Sequence, residues 1–487
     1  MDVLIIILAL GLLMFLAFRG FSVILFAPLC ALFAVFLTDP THVLPYFSNI
    51  YMVKLVDFVR LYFPVFILGA LFGKLVEISG VAKSIAKIIV QFIGPKQAIL
   101  AIVLMGAILT YSGVSLFVAV FAIYPFANQL FREANIPKRL IPATIAVSAF
   151  TFSMDALPGS PQIQNVIPTT FFNTNIYAAP LLGSIGAIFI ATFSLLYLNH
   201  CRKKAAKIGE GYFGIGDKAI NKEAEAELAA TSIAAMESTM PSESIAGNKI
   251  TRRDWLAFIP LLIVGVMNKF FTEYIPVWYA NGFDFAAIGL ETYGSVNMSQ
   301  VIGIWSVELA LIMGILATIL VNVQAAKLNF KSCMQVGISG SLLATMNTAS
   351  EYGFGGIIAA LPGFSAIQDF LTGFFSNPLL NGAIMTNVLC GITGSGSGGL
   401  SISLGLMADT YIQAAQEYGI PLEVLHRVLA MSAGGFDTLP HNGAVITLLL
   451  VCGLTHRQAY KDIFAITVIK TLAVFFIIGV FSLFAIV

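Results

Sequence analysis

Residues Gly391–Tyr411 read GITGSGSGGLSISLGLMADTY, and Gly419–Gly443 read GIPLEVLHRVLAMSAGGFDTLPHNG. Each is an apolar helical pattern interrupted by a polar break, at Thr393–Gly399 and at Gly434–Gly443, and the flanks are too short to span a bilayer alone. In hydrocarbon every backbone N–H and C=O needs a partner, so unwound chain survives there only where protein buries it or where it lines a water-filled cavity. The same pattern stands earlier, as AILTYSGVSLFVAVFAIYPF at 107–126 and NIPKRLIPATIAVSAFTFSMDALPGSP at 135–161. Setting Pro137 on Pro421, an offset of 284 (421 minus 137), also pairs Glu133 with Glu417, Ile136 with Ile420 and Ser148-Ala149 with Ser432-Ala433. A two-residue slip then matches Asp155-Ala-Leu-Pro158 with Asp437-Thr-Leu-Pro440. Duplicated helices broken at corresponding places point to the binding site of a secondary transporter.

Composition sets the class. Of 487 residues, 58% are hydrophobic and 10% charged, with net charge +1, which an all-aqueous surface of this size does not sustain. The chain reads as an integral membrane protein. Near-neutral charge without a basic, aromatic-interleaved patch excludes nucleic acid as a partner. The five cysteines form no CxxC and no metal-ligand spacing, so no metal or cofactor is expected. The N-terminal run lacks a positive n-region and a cleavage site and reads as a retained first span.

Apolar runs and Lys/Arg placement in short loops give spans and orientation. The first half, 1–198, holds spans at about 2–18, 21–37, 62–80, 138–172 (broken) and 180–198, with a hairpin at 97–131 that enters from the cytoplasm and returns. Residues 199–253 read as a hydrophilic cytoplasmic linker. The second half, 254–487, holds spans at about 254–272, 301–321, 336–362, 421–452 (broken) and 463–485, with a hairpin at 379–414 opening from outside. The fold expected is an all-α polytopic membrane protein, an inverted repeat of two five-span halves, each with a re-entrant hairpin and a broken helix, with both termini outside the cell membrane. Lys54 and Arg60, in an amphipathic segment placed outside, and Arg427, just inside a broken span, stand against the charge pattern.

A helix N-terminus offers free N–H groups and a partial positive charge to an anion. Four such ends follow the hairpin tips, Thr110, Ser112, Gly113, Ser115 and Thr393, Ser395, Gly396, Ser397, Gly398, and the breaks, Gly159, Ser160 and His441, Asn442. Gln162 and Asn165 add amide donors, and no Lys or Arg lies in the tips, so the expected ligand is a small carboxylate held by dipoles, amides and hydroxyls. The alternative is that the small residues only permit close helix packing. Ionisable residues within spans count as functional candidates. Asp155, Asp437, His441 and Glu351 are the coupling candidates, with Glu308 and Asp409 secondary; the other role for the two aspartates is helix capping. Ionised carboxylates beside a bound anion repel it, a reason to expect coupling to a proton, with sodium as the alternative.

The run Gly73-Lys-Leu-Val-Glu-Ile-Ser-Gly80, followed by Ile93-Gly-Pro-Lys-Gln97, resembles the gluconate:proton symporter (gluconate permease) family, and the likeness extends through both hairpins to the C-terminus. The resemblance implies opposed re-entrant hairpins, a homodimer and elevator-type movement, with gluconate-like sugar acids as substrates. The first tip and first break depart from the family pattern, while Pro440-His441-Asn442-Gly443 keeps it, which resembles the branch associated with short hydroxy acids such as 3-hydroxybutyrate. A channel is the second reading within transport. A membrane-embedded hydrolase is the reading from another class, and neither HExxH nor GxSxG is present to support it.

Overall fold

The structure, a computed structural model, describes residues 2–19, 21–94, 97–114, 116–215, 250–296, 298–366, 377–440 and 442–487. Ser115, His441, most of the expected linker and the loop carrying Asp369 lie outside the described residues.

The chain is helical almost throughout. In order it forms α1 (Asp2–Phe18), α2 (Val23–Thr38), α3 (Pro40–Ile78), α4 (Val81–Ile93), α5 (Ala98–Tyr111), α6 (Leu116–Glu133), α7 (Leu140–Ala149), α8 (Ile163–Phe172) and α9 (Pro180–Lys207). After the linker come α10 (Arg252–Trp255), α11 (Phe258–Trp278), α12 (Met298–Val321), α13 (Val323–Ala360), α14 (Pro378–Thr393), α15 (Gly396–Glu417), α16 (Leu422–Gly435), α17 (Gly443–Cys452) and α18 (His456–Phe484). Two two-residue antiparallel pairings, at 210–215 and 283–296, are the strands among the described residues. Among the described residues five helices, α3, α9, α11, α12 and α18, are long and apolar enough to cross a membrane by length and composition.

Two helices are longer than expected. The third span, expected from residue 62, is helical from Pro40 and runs 39 residues. Asp39 caps its start, accepting from Thr41 N–H at 2.8 Å, and Pro40 stands at the first helical position, where a missing N–H costs nothing. Lys54 and Arg60 therefore ride on the helix itself, which removes the separate amphipathic segment expected there. The eighth span, expected from residue 336, begins at Val323 and runs 38 residues. These two long helices, α3 and α13, pack against each other more extensively than any other pair. Beyond α3, the amphipathic pattern of α4 buries Val81, Ile85 and Ile89 and leaves Lys87 to pair with Asp254 at 2.8 Å.

The first part of the expected linker is ordered on the protein. Helix α9 continues to Lys207, and in the hairpin that follows Glu210 pairs with Arg139 at 2.7 Å. Arg139 also reaches Asp462 on α18 at 2.6 Å.

Each helical hairpin, α5–α6 and α14–α15, lies against the broken span of its own half, α7/α8 and α16/α17 respectively. Close approach within the second hairpin depends on Gly399. A Cβ there would stand 2.2 Å from Cys390 N and 2.4 Å from Cys390 Cα, backbone atoms that cannot rotate away. Gly399→Ala is expected to push α15 off α14 and destabilise the protein by roughly 1–3 kcal/mol, read as a lower melting temperature in detergent. An unchanged Tm would mean the two arms are not in contact.

Candidate functional site

The tip of each hairpin is tied to its own broken helix by a side-chain amide. In the first half, Gln162 Nε2 donates to Thr110 O at 2.7 Å and to Val114 O at 3.0 Å, and Tyr111 Oη donates to Pro158 O at 2.8 Å. In the second, Asn442 Nδ2 donates to Gly394 O and to Asp437 Oδ1, each at 2.7 Å, while its Oδ1 accepts from Ala444 N–H at 2.7 Å and caps α17. Carbonyls freed where the helices unwind thus find donors without water. The second arm of each hairpin also packs on the far half of the opposite broken span, α15 on α8 and α6 on α17, so all four interrupted segments form one interleaved unit.

The first break is held from the second half of the chain. Arg427, fully buried on α16, donates through Nη1 to Asp155 O at 2.8 Å, through Nε and Nη2 to Ala178 O at 3.1 and 2.9 Å, and through Nη2 to Ile176 O at 3.2 Å. Its neighbour His426 bonds Thr174 Oγ1 at 2.7 Å and Asn165 Oδ1 at 3.1 Å, and Asn165 Nδ2 donates to Ser160 O and Ile176 O at 2.8 Å. The misfit of Arg427 with the charge pattern has its cause here: it is an internal clamp on carbonyls.

The expected hydroxyl donors are mostly committed. Thr110, Ser112 and Thr393 donate to carbonyls of their own helices, at Gly106, Ile108 and Leu389, and Ser160 donates to Ser153 O, so these groups offer acceptor lone pairs rather than protons. In the second tip Gly396 N–H is taken by Asp437 Oδ1 at 2.7 Å and Gly398 N–H by Ser395 Oγ at 3.1 Å. Ser397 Oγ is paired with Thr348 Oγ1 of α13 at 3.1 Å. Gly159 keeps its left-handed φ of 83° and donates to Ile176 O at 2.9 Å. Gly113, at φ 93°, turns the first tip.

The two aspartates are not equivalent in their surroundings. Asp437 accepts from the first N–H of the hairpin helix α15, and not from the half-helix that follows it, the helix that the capping reading gives it. Asp155 is buried, and among the described residues neither carboxyl oxygen has a hydrogen-bond partner, so it caps no helix there. Glu351 is buried with Oε2 unpartnered, pressed against Gly398, where a Cβ would stand 1.4 Å from it. Glu308 is half-buried and Asp409 exposed, and Lys74 pairs with Glu77 at 2.9 Å. Sequence reasoning missed Lys470, buried on α18, whose Nζ donates to Phe150 O at 2.7 Å. A lysine seven residues into the apolar run that begins at Ile463, in ITVIKTLAVFF, was the available signal.

A cavity of about 220 Å³ opens between α3, α8, α12, α13 and α15, lined by Asp57, Arg60, Tyr62, Thr170, Gln300, Tyr352 and Ser401. Ser401 lies one turn along α15 from Ser397, so the cavity abuts the arm that carries the second tip.

With that geometry in place, comparison with known proteins decides the family. The pattern of the GntP family permeases matches residues 62–245, and the chain is 59% identical over 483 residues to the uncharacterized transporter YxjC of Bacillus subtilis (strain 168), covering 99% of each. The chain belongs to the GntP permease family. It is a transporter and a multi-pass membrane protein. Its fold is similar to that of the Alcanivorax borkumensis YdaH transporter, with TM-score 0.55 and 13% identity over 91% of this chain and 89% of that one. Neisseria gonorrhoeae MtrF, described among antimetabolite efflux pumps, aligns with TM-score 0.52 and 11% identity over 88% of this chain and 82% of its own.

The dual role of Asn442 gives an ordering. Asn442→Ala loses the cap acceptor and the donor to Gly394 and Asp437, and is expected to lower stability by roughly 1–2 kcal/mol. Asn442→Asp restores the cap acceptor but sets a second carboxylate on Asp437. Melting temperatures should fall in the order wild type, Asn442→Ala, Asn442→Asp; recovery in Asn442→Asp would mean that capping alone matters.

Proposed function

We propose that this permease is a secondary active transporter of the cell membrane, carrying a small hydroxy-monocarboxylate, a gluconate-like or 3-hydroxybutyrate-like acid, in symport with protons. The observation that carries the reading is the pair of hairpin tips, each laced by an amide to its own glycine- and proline-broken helix and cross-packed on the other half. Broken helices at such a crossing place half-helix termini where a substrate carboxylate and a coupling ion meet.

The two halves are read as copies of one fold inserted in opposite senses. In support, α13, α15, α16 and α18 begin 284 residues after positions 39, 112, 138 and 172, close to the starts of α3, α6, α7 and α9. With basic short loops inside, both termini face outward. The hairpins and broken spans move as one body against α1, α2, α11 and α12 in an elevator-type transition, and the carrier works as a homodimer. The cavity beside Arg60 and Ser401 serves as the outer approach for the anion.

The test is uptake of labelled D-gluconate and 3-hydroxybutyrate into proteoliposomes. An inward proton gradient should drive accumulation of at least one of them. Equal uptake after a protonophore collapses the gradient would refute coupling, and unitary currents in a planar bilayer would replace the carrier with a channel.

A further inference from the structure

Asp155 and Asp437 match by sequence but stand at helix ends of opposite polarity. Asp437 accepts two hydrogen bonds of 2.7 Å, from Gly396 N–H and Asn442 Nδ2, at the electropositive start of α15. Asp155 is 1% exposed and its carboxyl receives no hydrogen bond from the described residues. Its Oδ2 rests against Gly434 in the last turn of α16, the electronegative end, where a Cβ would stand 1.8 Å from it. A carboxylate charge left there without a donor is expensive, whereas the protonated acid is tolerated. Paired groups whose environments diverge in this way take different roles.

Lys470 supplies positive charge at the same point. It is 1% exposed, its Cε stands 3.2 Å from the position of that Gly434 Cβ, and its ammonium donates to Phe150 O, the carbonyl just past the end of α7. The ammonium thus takes the carbonyl end of a broken helix, the place where a transported metal cation would be drawn. The other charged or titratable groups facing this cluster are Arg427, committed to carbonyls, Glu351 on α13, Cys390 on α14 and Tyr111 on α5.

We infer that Lys470 is a built-in cation standing in place of a transported sodium ion, that Asp155 is the group that carries the coupling proton, and that Asp437 stays ionised as a clamp between hairpin and broken helix. The inference rests on the proton-symport reading above and assigns its ion and its residue. A proton from the outer water adds to the Asp155 carboxylate, which frees the Lys470 charge to attract the substrate carboxylate. When the proton leaves for the cytoplasm, Asp155 regains its charge, takes up the Lys470 ammonium and releases the substrate. One lysine neutralises one of the two carboxylates at a time, so proton and anion travel together.

Two substrate-independent measurements on the purified full-length protein test this. Wild-type Tm is expected to be the same in sodium chloride and choline chloride, and Lys470→Ala to gain a saturable rise of about 3 °C in sodium. Sodium stabilisation of the wild type, or indifference of a folded Lys470→Ala, would overturn the built-in cation. Infrared spectra at neutral pH are expected to carry a protonated-carboxyl band that Asp155→Asn removes. A band absent in the wild type or unaltered by Asp155→Asn would overturn the proton assignment, whether or not Lys470→Ala folds. In proteoliposomes, the ratio of gradient-driven accumulation to counterflow of gluconate or 3-hydroxybutyrate should fall about tenfold per imposed pH unit in Asp155→Asn. An unchanged ratio refutes the assignment. If neither acid exchanges in the wild type, the substrate class proposed above fails, while the melting and infrared results still decide this inference.

Discussion

Everything in this molecule is arranged around a shortage of water for the backbone. Breaking a helix inside a membrane protein strands carbonyls and amides that hydrocarbon cannot satisfy, at several kcal/mol each. Here each break is answered by a particular side chain: Gln162 and Asn442 at the tips, Arg427 and Asn165 at the first break, Asp437 and Ser395 at the start of α15. The amides and the guanidinium donate to stranded carbonyls, while the Asp437 carboxylate and the Ser395 hydroxyl accept from stranded N–H groups. Because the same side chains join hairpin to broken helix, satisfying the backbone and binding the interrupted segments into one packed unit are one operation.

The buried charges follow from that arrangement. Arg427 makes all its bonds to neutral carbonyls, so its charge stays uncancelled by direct pairing, as does that of Lys470 on Phe150 O. Opposite them stand three buried acids in three conditions: Asp437 doubly hydrogen-bonded, Glu351 with a bare oxygen against Gly398, and Asp155 with no hydrogen bond to its carboxyl from the described residues. A near-balanced set of charges, unequally satisfied, can change its protonation when a charged solute arrives.

How much of this was legible depends on the kind of signal. The breaks announced themselves because Gly, Ser and Pro interrupt long apolar runs, and the matched residues around Pro137 and Pro421 placed them in corresponding positions. Transport function followed from the same stretches and the family from Gly73–Gly80 and Ile93–Gln97, and both agree with the GntP permease match. The length of α3 was not legible, since Lys54, Asp57 and Arg60 look like a helix boundary in a hydropathy reading while the backbone beneath them continues unbroken. Hydroxyls at Thr110, Ser112 and Thr393 looked like ligand donors, but a serine or threonine in a helix readily bonds the carbonyl four residues back, and these do.

By itself, then, the sequence determined that the chain is helical, apolar and interrupted in two matched places, because residue type alone sets hydropathy and backbone freedom. Only the tertiary structure decided which acid is held and which is left bare. Asp155 and Asp437 sit in the same short motif, yet their surroundings come from other helices, Gly434 and Lys470 in the far half of the chain for one, Gly396 across the second hairpin for the other. A local motif fixes where a carboxyl leaves the chain; the helix end it meets fixes what its charge costs.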